Sequence, residues 1–302
     1  MLNNLVSEKI RRLEISGRIA IVNGHGGLPL VKINTPWSTA EIYLHGAHVA
    51  GFQKNGEPPL IFMSAKSFFD TGKPIRGGVP ICFPWFGNRD GEPSHGFARL
   101  TECELVNTAA APDGTVTLTL ALPGISGNSK WNSLRTEFVV TVADKLTMEL
   151  TTTSESCDGA LEIENCLHTY FHVCDISAVS LAGLQGAPFD DFAFGAGGAR
   201  RAADGTALRI TQETNRVYPD NAATVEIIDE KLQRKIRVEK YNSNSTVVWN
   251  PWTTQKMPED WGTNEHLNMV CVESGNVKQN KILLAPGKSA ALKVVLSSAP
   301  LK

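Results

Sequence analysis

Apolar residues recur at every second position over long parts of this chain, and that period constrains the fold more than any other feature. Thr115 to Leu122 alternates cleanly behind the turn residues Pro112-Asp-Gly114. Leu134 to Val142 alternates through Phe138 and Val140, and Ala143-Asp144 turns the chain into Leu146 to Leu150. A period of two puts one face on a core and the other outside, which is the pattern of antiparallel strands joined by short turns. Ala40 to Phe52 holds two apolar runs broken at His45-Gly46, a hairpin or a bulge. Thr224 to Asp229 and Lys235 to Lys240 read as another hairpin. Ser245 to Trp249 and Asn268 to Glu273 are short strands, and Lys281 to Leu284 turns through Ala285-Pro-Gly287 into Lys288 to Leu296. One short helix is expected over residues 4–14, and Gly195 to Gly205 and Pro251 to Asn264 are expected to be loops, the second with a short helix or a turn around Pro258 to Gly262. Many short strands without βαβ alternation, linker or repeat predict an all-β fold, a large antiparallel β-sandwich with few short helices, residues 1–302 forming a single domain.

One stretch breaks the period. Pro74 to Arg99 holds four prolines and five glycines, so it is neither a long helix nor an inner strand. Yet Ile81, Cys82, Phe83, Trp85, Phe86 and Phe97 want burial. A buried irregular segment must find a partner for each backbone polar group. Arg76, Arg89, His95 and Arg99 lie in it, so it is either a packed structural loop with solvated arginines or a rigid loop presenting cations to a ligand.

Charge and motifs narrow the function. A formal net charge of −2 gives no reason to expect nucleic acid or an anionic membrane as partner. No apolar run approaches the roughly 18 residues that span a bilayer. The N-terminus has no secretory apolar region, so the expected compartment is the cytoplasm. The six cysteines, Cys82, Cys103, Cys157, Cys166, Cys174 and Cys271, form no C-x-x-C pair and are expected to be reduced core residues. Walker A, G-x-G-x-x-G, H-E-x-x-H and G-x-S-x-G motifs are all absent.

Ala160 to Val173 reads as a long strand with two unlike faces. Leu161, Ile163, Asn165, Leu167, Thr169 and Phe171 lie on one; Glu162, Glu164, Cys166, His168, Tyr170 and His172 lie on the other, which is polar enough to line a cleft. His168 is a satisfied core histidine or a catalytic one. Glu273, at the end of the apolar run Met269-Val-Cys-Val272, is a surface strand end or a desolvated acid with a raised pKa. Arg76 and Arg99 suit carboxylate or phosphate, and Trp85, Trp249, Trp252 and Trp261 either pack or stack on a sugar ring.

Together these pieces carry a resemblance. Arg76-Gly-Gly-Val-Pro80, Phe83-Pro-Trp-Phe-Gly87, His95-Gly-Phe-Ala-Arg99, Leu167-His-Thr-Tyr-Phe171, Asn250-Pro-Trp252, Val272-Glu-Ser-Gly-Asn276 and Ala285-Pro-Gly287 run in order from about Ala40 to the C-terminus. They look like the signature of the hexose-6-phosphate mutarotases, or glucose-6-phosphate 1-epimerases, a branch of the aldose 1-epimerase (galactose mutarotase) superfamily. The resemblance implies a large antiparallel β-sandwich with an open cleft and neither metal nor organic cofactor; a monomer is expected. It implies His168 as general acid, Glu273 as general base, Arg76 and Arg99 as contacts to a sugar phosphate, and His95 as a contact near the ring oxygen. Asn215 stands where an aspartate is usual, leaving either Asn215 or Glu213 to meet a sugar hydroxyl, and Ser94 stands where many relatives have glutamine.

Anomer exchange suits such residues. A base takes the proton of the anomeric hydroxyl while an acid protonates the ring oxygen, and the roles reverse on closure, so no covalent intermediate is required. The resemblance thus points to a hexose 6-phosphate, glucose 6-phosphate first, as substrate. An epimerase for unphosphorylated sugar and a non-catalytic sugar-binding sandwich are the alternatives. A glycoside hydrolase would need a second carboxylate facing Glu273, with Glu162 and Glu164 as weak candidates.

Overall fold

The computed structural model describes residues 8–124, 129–156, 158–195 and 197–301. Alternation becomes sheet where it was expected. Leu134–Val142 and Leu146–Ser154 each bury every second residue, and they pair antiparallel from Leu134↔Ser154 to Val142↔Leu146. They lie inside a nine-stranded antiparallel sheet that runs from Leu208–Arg209 at one edge to Glu104–Ala110 at the other. Its inward residues, among them Phe138, Val140, Leu150, Ile227, Ile236 and Leu296, are fully buried in the main apolar core. Each such side chain contributes roughly 1.5–3 kcal/mol by leaving water.

The second large sheet has eight strands. Its order is Ala199–Ala202, Pro188–Asp191, Thr214–Pro219, Ser245–Asn250, Met269–Asn276, Asn165–Leu167 and Ile81–Cys82, with Tyr170–His172 also paired to Met269–Asn276. A four-stranded meander, Ile19–Asn23, Pro29–Asn34, Ser38–Tyr43 and His48–Lys54, packs into the same core, and Leu161–Ile163 pairs with Ile282–Leu284. The expected hairpin at His45-Gly46 is present as the turn between Ser38–Tyr43 and His48–Lys54. The fold is all-β, as the alternation requires. Its α-helices among the described residues are Glu8–Arg11 and Ser129–Asn132, four residues each.

Four expectations need correction. The helix expected over residues 4–14 is only Glu8–Arg11 among the described residues, since residues 4–7 lie outside them. The Gly195 to Gly205 loop contains a strand, Ala199–Ala202, held at the sheet edge by Phe189↔Arg201 and its neighbours. Cys82, Cys103, Cys166 and Cys271 are buried free thiols, but Cys174 is exposed; Cys157 lies outside the described residues.

The fourth correction positions the site. Ala160 to Val173 is not one strand but three pieces, Leu161–Ile163, Asn165–Leu167 and Tyr170–His172. At Glu164 the chain leaves one pairing for another, its N–H donating to the carbonyl of Pro84 at 2.9 Å. At His168 it closes a tight turn, the Thr169 N–H donating to the Leu167 carbonyl at 3.0 Å. The two-faced character survives these breaks. Leu161, Ile163, Leu167 and Phe171 enter the main core, while Cys166, His168 and Tyr170 face the opposite side.

Candidate active site

The pairing Leu167↔Ser274 and Tyr170↔Cys271 sets His168 directly across from Glu273. Their side chains meet, His168 Nε2 to Glu273 Oε1, at 3.2 Å. His168 is 8% exposed and Glu273 1%. The thiol of Cys166 donates to the other carboxylate oxygen at 3.6 Å. Tyr170 stacks on the imidazole with ring centroids 4.9 Å apart, and Trp249 meets both rings edge-on.

Burial acts on the pair in opposite directions. It pushes the Glu273 carboxyl well above the usual carboxylate range, against the pull of the Cys166 hydrogen bond and the Arg99 charge. It lowers His168 to about 3, with Arg99 adding to the effect. Both shifts favour the uncharged forms of the two groups.

The proline- and glycine-rich loop lies against this pair, and it satisfies its own backbone. Phe83 N–H donates to the His95 carbonyl at 3.1 Å, His95 N–H to the Gly87 carbonyl at 2.8 Å, and Phe97 N–H to the Phe83 carbonyl at 2.9 Å. Gly96 is indispensable to the crossing. Its φ is +77°, and a Cβ there would sit 2.1 Å from the Phe83 carbonyl oxygen. His95 itself takes a φ of +63°, which turns its ring toward His168 at 5.7 Å between centroids. The Gly87 N–H donates to His95 Nδ1 at 3.3 Å, so the neutral ring carries its proton on Nε2. Burial and the nearby Arg99 hold His95 well below its ordinary pKa, so it stays neutral.

The two arginines differ. Arg99 is deeply placed: Nη2 donates to the Ser94 carbonyl at 2.7 Å and its buried Nε has no partner among the described residues. Arg76 Nε donates to Asp260 Oδ2 at 3.2 Å. Burial pulls Arg76 down, but Tyr170 and Asp260 outweigh it and hold the guanidinium charged.

All seven residues expected from the sequence, Arg76, Ser94, His95, Arg99, His168, Asn215 and Glu273, line one open cavity of about 520 Å³. Glu213 does not line it. Its carboxylate accepts from Phe194 N–H at 3.2 Å and from the Thr254 hydroxyl at 2.7 Å, pinning two loops. Of the four tryptophans singled out in the sequence, Trp249 lines the cavity, Trp85 and Trp261 are core, and Trp252 packs against the core. Glu162 pairs with Lys281 at 2.7 Å outside the cavity, and Glu164 bonds to backbone amides. Glu273 is therefore the one carboxylate among the described cavity-lining residues, and the two-carboxylate geometry of a glycosidase is not present there. Sequence reasoning assigned no role to Tyr170, Lys278, Phe192 or Gln255, which also line the cavity. Tyr170 was legible, since it shares the period-two face of His168. Lys278 lies beyond a turn and carried no signal.

Donor atoms of His168, Cys271 and Glu273 lie within 4.8 Å of one another, the one set among the described residues with a spacing that suits a metal ion. The adjacent guanidinium groups oppose a cation there. A larger cavity of about 710 Å³ lies over the four-stranded meander, where Lys32 and Glu41 pair at 3.1 Å on the surface. It offers no imidazole, thiol or buried carboxylate, so it has no acid–base chemistry.

The chain is thus a large antiparallel sandwich with a buried imidazole–carboxyl pair lining an open cleft. Residues 29–297 match the family model for aldose 1-epimerase, and the chain belongs to that family of isomerases. It is 32% identical over 271 residues to a Cenchrus ciliaris protein provisionally named glucose-6-phosphate 1-epimerase, covering 86% of this chain and 82% of that one. An Escherichia coli K12 protein under the same provisional name is also 32% identical, over 84% of this chain and 85% of its own. The crystal structure of YeaD from Salmonella typhimurium, provisionally described as a mutarotase, superposes with a TM-score of 0.83 at 29% identity, covering 95% of each chain. No helix of the described residues is long and apolar enough to cross a membrane.

Proposed function

We propose that this protein interconverts the α and β anomers of a hexose 6-phosphate, glucose 6-phosphate first among them. The observation that carries the reading is the cross-strand pair His168–Glu273, 3.2 Å apart in a cleft whose other charged groups are cations. Mutarotation acts on two oxygens of a single carbon, so its acid and base must lie side by side. Two strand partners on one sheet face supply that spacing.

The Glu273 carboxylate takes the proton from O1 of the cyclic sugar. His168, protonated, gives a proton to the ring oxygen, and the C1–O5 bond breaks to leave an aldehyde. C1 rotates about its bond to C2. His168 then takes the proton of the C5 hydroxyl as it attacks C1, and Glu273 returns its proton to O1. The pair holds one proton throughout and ends as it began. Both shifts described above favour the uncharged pair, so the charged arrangement that opens the ring is the less stable of the two. His95 donates from Nε2 to a sugar oxygen, Asn215 meets a hydroxyl, and Arg76 and Arg99 attract the anionic end of the substrate.

Polarimetry or exchange NMR on freshly dissolved α-glucose 6-phosphate tests this. Equilibration faster than the uncatalysed background is expected. No acceleration, or full activity in Glu273→Gln, would sink the assignment.

A further inference from the structure

Two residues past the strand Met269–Asn276, Lys278 adopts a φ of +56°. A residue with a Cβ takes that conformation only where its surroundings hold it. The holding group is Glu164. One carboxylate oxygen accepts from the Lys278 N–H at 2.5 Å, and the other accepts from the Phe86 N–H at 3.1 Å. A single side chain therefore joins the segment following the Glu273 strand to the loop that carries the arginines and His95. Phe86, Gly87 and Lys278 all line the catalytic cavity.

The side chain of Lys278 runs along this wall. Its Nζ lies 5.5 Å from the Phe192 ring centroid and packs over Gly87, where a Cβ would be 3.4 Å away. No carboxylate of the described residues comes within ion-pair distance of it. Lys281, three residues on, is paired with Glu162 at 2.7 Å. Of the cavity's other cations, Arg76 is held by Asp260 and Arg99 by the Ser94 carbonyl. Lys278 is the one whose ammonium no carboxylate or carbonyl of the described residues takes up, and it is exposed while lining the cavity.

We propose that Lys278 is a specificity-determining residue whose ammonium receives the phosphoryl group of the substrate, and that Glu164 is the positioning residue that aims it. This rests on the hexose phosphate reading of the same cleft. An ammonium on a flexible stem suits a phosphate as a point charge, and a charge-assisted contact of this kind changes affinity by about tenfold or more. Glu164 gives the sharper test. If its only influence were its negative charge near the site, Glu164→Gln would tighten phosphate binding. If it positions the wall, the same variant weakens binding, because a glutamine oxygen can serve only part of the two-amide clamp.

The experiment is calorimetric titration of inorganic phosphate into wild type, Lys278→Ala, Lys278→Arg and Glu164→Gln, with steady-state kinetics on glucose 6-phosphate beside it. Lys278→Ala is expected to weaken phosphate about tenfold and to raise KM more than it lowers kcat. Lys278→Arg is expected to restore most of the affinity, and Glu164→Gln to weaken it. Equal affinity in wild type and Lys278→Ala, or no phosphate binding by wild type, overturns the proposal; tighter binding in Glu164→Gln overturns the positioning role. If wild type fails to interconvert the anomers while Lys278→Ala still loses phosphate, the functional reading falls and this site stands. If wild type is active and Lys278→Ala keeps its KM, the functional reading stands and this site falls.

Discussion

The two large sheets use the same backbone pattern for different ends. In the nine-stranded sheet, Leu146–Ser154 and Leu134–Val142 bury one face fully and leave the other half exposed. In the eight-stranded sheet, Met269–Asn276 is buried at all of its eight positions. On its second face Phe62, Tyr170 and Trp261 cover Met269 and Cys271, and Glu273 borders the cavity. That cover is what allows Glu273 and His168 to sit in a desolvated place while still bordering a cleft. Regular alternation makes a wall; alternation covered on its second face makes a reactive surface.

If this division holds, substitutions should separate cleanly. Glu273→Gln should lower turnover by about 10²–10⁴-fold. It should also raise the melting temperature, and more at alkaline than at acid pH. A carboxyl whose pKa is raised by burial stabilises the fold while protonated, and that contribution is lost as pH rises through its folded value. Thermal melts at two pH values check it, and a lower melting temperature at high pH would break the comparison. In the other sheet, Phe138→Ala should cost about 3–5 kcal/mol in denaturant unfolding with kcat kept. A large fall in kcat there would show that the two sheets are not separate in function.

Acid should act on the eight-stranded sheet and on the four-stranded meander at once. Burial lowers His48 and His168 to about 3, so each is neutral when folded and gains a proton on unfolding at any pH between that value and roughly 6.5. Stability should therefore fall as pH drops below about 6.5, by up to roughly 1.4 kcal/mol per pH unit for each such group. His48→Gln should flatten the slope in unfolding titrations, since His48 sits behind Gly78 and outside the cavity lined by His168 and Glu273. The smallest effect is expected at Glu213. Glu213→Gln should loosen two loops at a cost of about 1 kcal/mol or less, with KM rather than kcat moving.

Much of this was legible because period two is a local property. Phe138, Leu150 and Ile236 declare their face from neighbours two residues away. The pairing of His168 with Glu273 was not legible in that way, because it depends on register between strands 105 residues apart along the chain. The breaks at Glu164 and His168 were hidden too, since the carbonyls of Pro84 and Leu167 that cause them are invisible to side-chain pattern. Asn215 and Glu213 were inseparable in sequence. The structure separates them by where the strand begins: Asn215 lies within Thr214–Pro219 and lines the cavity, whereas Glu213 precedes the strand and bonds to the loops.

The cavity wall at Gln255, Met257 and Pro258 belongs to the segment after Asn250, tied to the rest of the protein by the Trp249–Gln255 and Thr254–Glu213 bonds ahead of the Asp260–Arg76 pair. The arginine loop is instead locked by crossings such as Gly96 over Phe83. Inherited variation therefore has unequal room in this enzyme. Changes at 255–258 can redraw which sugars are accepted while leaving the proton exchange intact, whereas drift in 76–99 disturbs recognition and folding together. New substrate preferences in descendants of this chain should arise on the first wall and not on the second.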